Sequence, residues 1–216
     1  MTDWRAVLFD LDGTLADTVP LILRCYRHTM KEHRGKELPD PLWVRNIGKP
    51  LRVSMADFTA DPDEIERMVA TYVAFQRTVH DQMVKGFPGA VEAIAELRGR
   101  GVPVGVVTSK GREMTARTLA CSGLADVLDV LVTADDVRNG KPHPEPVIKA
   151  LVELGIEGHP ERALFVGDSP HDLVAGRAAD VRTAAVSWGP FTRVELEATA
   201  PDYWIASWEE LAALRP

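Results

Sequence analysis

Five short apolar runs recur along the chain, at residues 6–9, 102–107, 127–132, 163–166 and 183–186. Each is close to unbroken instead of alternating, the pattern of a strand buried on both faces of a parallel sheet. Stretches of helical period lie between several of them. Residues 90–100 gather Val91, Ile94, Ala95 and Leu97, and residues 146–154 gather Val147, Ile148, Leu151, Val152 and Leu154. Strand and helix in alternation predict an α/β fold, a doubly wound parallel sheet with helices on both faces. Ligands of such sheets bind at the carboxyl ends of the strands.

The alternation lapses between about residues 16 and 84, a stretch too long for a plain loop. Its periodicity predicts helices at 19–32, through Leu21, Ile22, Cys25, Tyr26 and Met30, and at 63–81, through Ile65, Met68, Val69, Tyr72, Val73 and Phe75. Asp61-Pro62-Asp63 suits the start of the second, with Glu64 in its first turn. The Gly and Pro content of Lys85-Gly86-Phe87-Pro88-Gly89 suits the way back. The expected organisation is a core of residues 1–15 and 84–216 carrying a small α-helical domain of residues 16–83.

Composition narrows the classes of partner. At 216 residues, 45% hydrophobic and 26% charged, the chain is long enough to bury a core without disulfide staples. The formal net charge of −7 speaks against a nucleic-acid surface, which needs clustered Lys and Arg. The apolar runs are too short to span a bilayer, and the N-terminal residues do not read as an export signal. A cytoplasmic protein without a membrane or nucleic-acid partner is expected, as a monomer or a homodimer. Cys25 and Cys121 are expected to be buried and reduced, and the six histidines show no zinc-ligand spacing.

Polar residues close several strands. Val7-Leu8-Phe9 runs into Asp10-Leu11-Asp12-Gly13-Thr14, with two carboxylates at the mouth of a buried strand. Crowded acids raise one another's pKa unless something compensates, and a hard cation such as Mg²⁺ with an oxyanion substrate is the economical answer. An Asp-Gly turn accounts for the same residues without chemistry. Ala163-Leu164-Phe165-Val166-Gly167 leads likewise to Asp168, Ser169, Pro170, His171 and Asp172, and two acidic strand ends can converge on one ion. Thr108 and Ser109, after Val107, suit either an oxyanion or a helix cap. Lys141, in the loop Arg138-Asn139-Gly140-Lys141-Pro142, is either a solvated lysine or a cation for a transferring phosphoryl group.

Together Asp10-Leu11-Asp12-Gly13-Thr14, Thr108-Ser109, Lys141-Pro142 and Gly167-Asp168-Ser169 through Asp172 resemble the haloacid dehalogenase superfamily of phosphohydrolases. The four motifs follow that family's order, and the helical insertion is similar to its small cap on a Rossmann-like core. The resemblance implies that Asp10 is the nucleophile and that Asp12 protonates the leaving oxygen and then activates water. It implies a Mg²⁺ held by Asp10, the backbone carbonyl of Asp12 and Asp168, supported by Asp172. Thr108 and Ser109 are then expected to bind phosphoryl oxygens, and Lys141 to steady the charge. True dehalogenases of the superfamily lack the second acid, so Asp12 argues against them.

Within the superfamily the chain is similar to the phosphoglycolate phosphatase group, and residues 75–85 and 133–146 are also similar to bacterial pyrophosphatases of that group. Ile47-Gly48-Lys49-Pro50-Leu51-Arg52 resembles the cap's substrate-facing loop, which makes Lys49 and Arg52 candidates to meet a substrate anion. The expectation is a Mg²⁺-dependent phosphatase acting on a small anionic phosphomonoester such as 2-phosphoglycolate, with inorganic pyrophosphate as the rival substrate. Phosphoryl transfer of the β-phosphoglucomutase kind and a phosphoacceptor signalling module are weaker alternatives. The module needs neither an insertion nor a second acid.

Overall fold

The strands form where unbroken apolar runs can be buried from both sides. In the computed structural model, which describes residues 4–215, β1 is Ala6–Phe9, followed by a two-residue strand β2 at Ala16–Asp17. Four helices come next: α1 (Val19–Arg34), α2 (Pro41–Val44), α3 (Leu51–Ala56) and α4 (Pro62–Met83). β3 (Lys85–Gly86) then pairs antiparallel with β2, so a small ribbon joins the two crossings between the helices and the sheet. The rest alternates: α5 (Ala90–Gly99), β4 (Val104–Val107), α6 (Arg112–Cys121), β5 (Val130–Val132), α7 (Glu145–Glu153), β6 (Ala163–Gly167), α8 (Pro170–Ala178) and β7 (Arg182–Val186). It ends with α9 (Arg193–Glu197), β8 (Tyr203–Ile205) and α10 (Trp208–Ala213).

Six strands form one parallel sheet in the order β5-β4-β1-β6-β7-β8. β1 lies inside it, with Phe9 opposite Val106 of β4 and Val166 of β6. From β1 the chain builds one side of the sheet, then returns to build the other from β6. That reversal makes the carboxyl ends of β1, β4 and β6 neighbours, the place where a doubly wound sheet binds its ligand.

Alternate residues of β1 serve different faces. Val7 and Phe9 pack with Ile94 and Leu97 of α5 and Leu211 of α10, while Ala6 and Leu8 pack with Val147 and Leu151 of α7 and Ala175 of α8. Each fully buried Leu or Ile contributes about 1.5–3 kcal/mol relative to exposure. The predicted strand at 102–107 starts at Val104, because Pro103 has no N–H to give to a ladder. That predicted at 127–132 starts at Val130, where Asp129 takes the Val104 N–H on its own carboxylate (2.8 Å).

The helices of the insertion pack into one apolar cluster that also takes in Leu173 of α8, Ala185 of β7 and Leu196 of α9. Tyr26 of α1 stacks on Trp43 of α2 (centroids 4.6 Å, planes 11° apart), and Tyr72 of α4 meets Tyr26 edge-on at 5.2 Å. Such pairs add about 0.5–1.5 kcal/mol beyond area burial. As its sequence suggests, α4 starts on Asp61, whose carboxylate accepts the Asp63 N–H (3.0 Å). The cysteines depart from expectation in one respect. Both are free and Cys25 is buried, but Cys121 is exposed, since it ends α6 on the outward side. Among the described residues no helix is long and apolar enough to cross a membrane.

Candidate active site

Backbone pairing carries Asp10 to the strand mouth, its N–H bonded to Val166 O of β6 (2.9 Å). The next residues turn sharply. Gly13 takes φ +86°, and a Cβ there would lie 2.4 Å from Asp168 Oδ2, so only glycine lets this turn pass beside the β6 carboxylate. Thr14 closes the turn by donating its hydroxyl to Asp168 Oδ1 (2.9 Å).

Asp172 is placed by a helix start. Ser169 caps α8, accepting the Asp172 N–H, while Asp172 Oδ2 takes the N–H (3.0 Å) and hydroxyl (2.6 Å) of Ser169. This capping box fixes the carboxylate. The other oxygen, Oδ1, accepts Lys141 Nζ at 2.6 Å. Lys141 is only 1% exposed, follows a loop with a cis Lys141-Pro142 bond, and gives a further hydrogen bond to Val107 O (3.2 Å). Its ammonium also stands 2.8 Å from Asp10 Oδ1, off the line of a hydrogen bond.

Three buried carboxylates thus share one buried cation. Burial first, and then the charge of Asp172, push Asp10 up to about 7. Burial, then Asp172 and Asp10, raise Asp168 well above the usual carboxylate range. Burial opposes the charge on Lys141, but Asp10 and Asp172 outweigh it and hold the pKa above the ordinary lysine value. Oxygens of Asp10, Asp168 and Asp172 lie within 4.8 Å of one another, and Asp10 Oδ1 and Asp168 Oδ2 are buried without a hydrogen bond. Two orphaned carboxylate oxygens in an under-neutralised cluster fit a hard divalent cation.

The Asp12 side chain turns away from this cluster. Its Oδ1 accepts Thr18 Oγ1 (2.6 Å) and Lys110 Nζ (2.5 Å). Thr18 stands before α1 but spends its hydroxyl on Asp12 instead of capping the helix. A cavity of about 240 Å³ opens over Asp10 and Asp12, lined on the sheet side by Thr108, Ser109 and Lys110 and on the insertion side by Tyr26, Asn46, Lys49, Tyr72 and Gln76. The segment around Gly48 closes against the sheet. Ser109 donates its hydroxyl to Gly48 O (2.7 Å), and Gly48, at φ +93°, sits against Ser169 with no room for a Cβ.

Of the residues singled out in the sequence, the structure brings Asp10, Asp168, Asp172 and Lys141 into one cluster, with Asp12, Thr108 and Ser109 at its mouth. Lys49 lines the cavity, held by Asn46 Oδ1 (2.8 Å). Arg52, the other candidate of that loop, is placed elsewhere. It lies outside the cavity lining, pairs with Glu66 at 2.7 Å, and its side chain is 67% exposed. Consecutive residues of α3 point apart: Leu51 faces the cavity and Arg52 the solvent side. Lys110, Thr18 and Thr14 escaped sequence reasoning as site residues. Position two after Thr108, at a strand end, was the signal for Lys110.

This sheet, with acids at the ends of β1 and β6, a hydroxyl at the end of β4 and a buried lysine between them, defines a class. The chain belongs to the haloacid dehalogenase-like hydrolases, whose family description matches residues 7–186. It is therefore an enzyme.

More particular relatives agree. A protein named pyrophosphatase PpaX from Bacillus cereus (strain B4264) is 40% identical over 207 residues, 96% of this chain and 94% of its own length. The solved structure of a haloacid dehalogenase-like family hydrolase from Streptococcus pneumoniae superposes with TM-score 0.84 at 26% identity, covering 99% of each chain. That of a predicted phosphoglycolate phosphatase from Haemophilus somnus superposes with TM-score 0.87 at 21% identity, covering 99% of this chain and 98% of its own, a likeness of fold.

Proposed function

We propose that the protein is a Mg²⁺-dependent phosphatase that hydrolyses a small anionic phosphate ester through a phosphoryl group carried on Asp10. The observation that carries this reading is the Asp10–Lys141–Asp172 arrangement beside Asp168, open on one side to the cavity through Asp10 and Asp12. A buried carboxylate that faces the cavity beside an ammonium is an available nucleophile once its proton has left.

Asp10 and Asp168, with the orphaned oxygens, would hold the Mg²⁺, and Asp12 would add its backbone carbonyl. Asp172, whose oxygens are occupied by Lys141 and Ser169, supports the set from behind. When bound, the cation supplies positive charge for the phosphoryl oxygens. An Asp10 oxygen then forms a bond to phosphorus while the ester P–O bond breaks. The electron pair of that bond goes to the leaving oxygen, which takes the proton from Asp12. In the second half Asp12 accepts a proton from water as the water oxygen attacks phosphorus, and Asp10 is released. Thr108 and Ser109 bind phosphoryl oxygens, and Lys141 offsets the charge that accumulates on them. Residues 16–83 act as a cap on a core of residues 1–15 and 84–216, and Lys49 meets the anionic end of the substrate.

Two substrates are in play. The cavity has apolar walls, Ile22, Ile47, Leu51, Val73 and Met114, beside Lys49 and Lys110, which suits a small anionic ester with an organic part, 2-phosphoglycolate being the smallest case. The Bacillus relative named a pyrophosphatase favours inorganic pyrophosphate by the same machinery. Phosphate release from a panel of small phosphomonoesters and from pyrophosphate, with Mg²⁺ and with EDTA, separates them. No release from any member of the panel overturns the proposal.

A further inference from the structure

A continuous hydrogen-bonded chain runs from the solvent side of α4 to Asp12. Asp81 accepts from the Arg117 guanidinium (2.8 Å) and lies 2.8 Å from His80 Nδ1. The other nitrogen of the fully buried His80 ring is 2.9 Å from Thr118 Oγ1 on α6. Thr118 Oγ1 is in turn 3.1 Å from Lys110 Nζ, and Lys110 Nζ is 2.5 Å from Asp12 Oδ1.

The protons in this chain have one consistent arrangement. Asp81, ionised beside Arg117, only accepts, so His80 donates from Nδ1 and its Nε2 is an acceptor. Thr118 therefore donates to Nε2 and offers its oxygen to Lys110, which has only protons to give. Burial lowers the His80 pKa against the pull of Asp81, in keeping with a neutral ring. Thr18 and Lys110 both hold Asp12 Oδ1, and Oδ2 has no hydrogen bond among the described residues. His80, Asp81 and Cys121 also bring metal-ligand atoms within 4.8 Å. The guanidinium on Asp81 and the two partners on His80 make that group a hydrogen-bond relay and not an ion site.

We propose that Lys110, oriented by Thr118 and His80, is a positioning residue that fixes Asp12 Oδ1 so that Oδ2 faces the leaving oxygen. The inference rests on the role given to Asp12 above. It also ties the acid–base group to the packing of α4, a helix of the insertion, on α6 of the sheet domain.

The test compares kcat/KM for an alkyl phosphate, 2-phosphoglycolate or whichever alkyl ester the wild type turns over best, with that for p-nitrophenyl phosphate. An alkoxide needs the proton to leave; nitrophenolate departs without it. Lys110→Met and Thr118→Val are expected to lower the alkyl value by about 10-fold or more and the nitrophenyl value by under about 3-fold, with His80→Gln changing the ratio in the same direction. Thr118→Ser, which keeps the hydroxyl, should restore the wild-type ratio. Equal losses on both substrates, or none, overturn the inference. Should Thr118→Val not fold, Lys110→Met, at the cavity wall, decides alone. Asp12→Asn separates the two levels. If it lacks the leaving-group selectivity, the reading of Asp12 fails; if it has the selectivity and Lys110→Met does not, only the inference does.

Discussion

Lys141 Nζ lies 2.8 Å from Asp10 Oδ1 and 2.6 Å from Asp172 Oδ1, with all three side chains buried. The loop after β5 thus neutralises the mouth of β1 and the first turn of α8 at once. Removing one member of a buried ion pair strands the others' charges, at a cost of about 3–5 kcal/mol. Lys141→Met is expected to lose stability of that order in denaturant titrations with EDTA, and Mg²⁺ should recover part of it. An unchanged midpoint would show that the ammonium is not the cluster's main counter-charge.

A cation at this site has to compete with protons. Asp10, pushed up to about 7, and Asp168, also raised, hold protons in the folded chain at pH values where unfolded aspartates, near 3.9, have lost them. The folded state binds the extra protons, so this contribution to stability is full below about pH 4 and is lost as pH rises through about 7. Mg²⁺ favours the charged forms, so its stabilising effect should be small at pH 5 and large at pH 8. The readout is the gap in Tm between Mg²⁺ and EDTA samples, because His80 and His171, both lowered by burial, titrate in either sample. Each 1 kcal/mol of that gap reads as about 2–4 °C. A gap independent of pH contradicts the placement.

Gly13→Ala places a Cβ against Asp168 Oδ2 at a backbone angle of +86°. Strain of about 1–3 kcal/mol is expected. The sharper effect is on the ion, since the displaced oxygen is one of the two orphans. Calorimetric titration with Mg²⁺ should show weakened binding, and wild-type affinity would argue that Asp168 is not a ligand.

Lys49 and Arg52 were indistinguishable as loop cations but face different surroundings. Lys49→Ala should raise KM with kcat little changed. Arg52→Ala, which breaks only the exposed pair with Glu66, should leave both alone and cost at most about 1 kcal/mol of stability. The reverse result would mean that a substrate reaches the outer face of α3.

The sheet was legible because burial on both faces leaves an unmistakable mark, an apolar run ending in polar residues, at β1, β4 and β6. The acids of the cluster were legible for the same reason. Elements with a diluted mark were not. α6, Arg112-Glu113-Met114-Thr115-Ala116-Arg117-Thr118-Leu119-Ala120-Cys121, has few apolar positions, and β8 is a three-residue edge strand carrying two half-buried aromatics. On local pattern alone Lys141 read like any loop lysine, and only the resemblance singled it out; its burial comes from partners distant in sequence, Asp10, Phe165 and Asp172, which no local pattern encodes. Lys110 became informative only through Thr118 and His80, residues from other elements that meet it in the fold. Asp172 serves both purposes with different oxygens, Oδ2 in the capping box with Ser169 and Oδ1 on Lys141.

The most direct test of the account is to catch the phosphoryl group on its carrier. Enzyme quenched in acid during turnover of its best substrate, then reduced with borohydride, should yield homoserine at position 10 by peptide mass spectrometry. Asp10→Asn should yield none and release no phosphate above background. Steady phosphate release by the wild type without reduction at position 10, or with the group found on another residue, would contradict it.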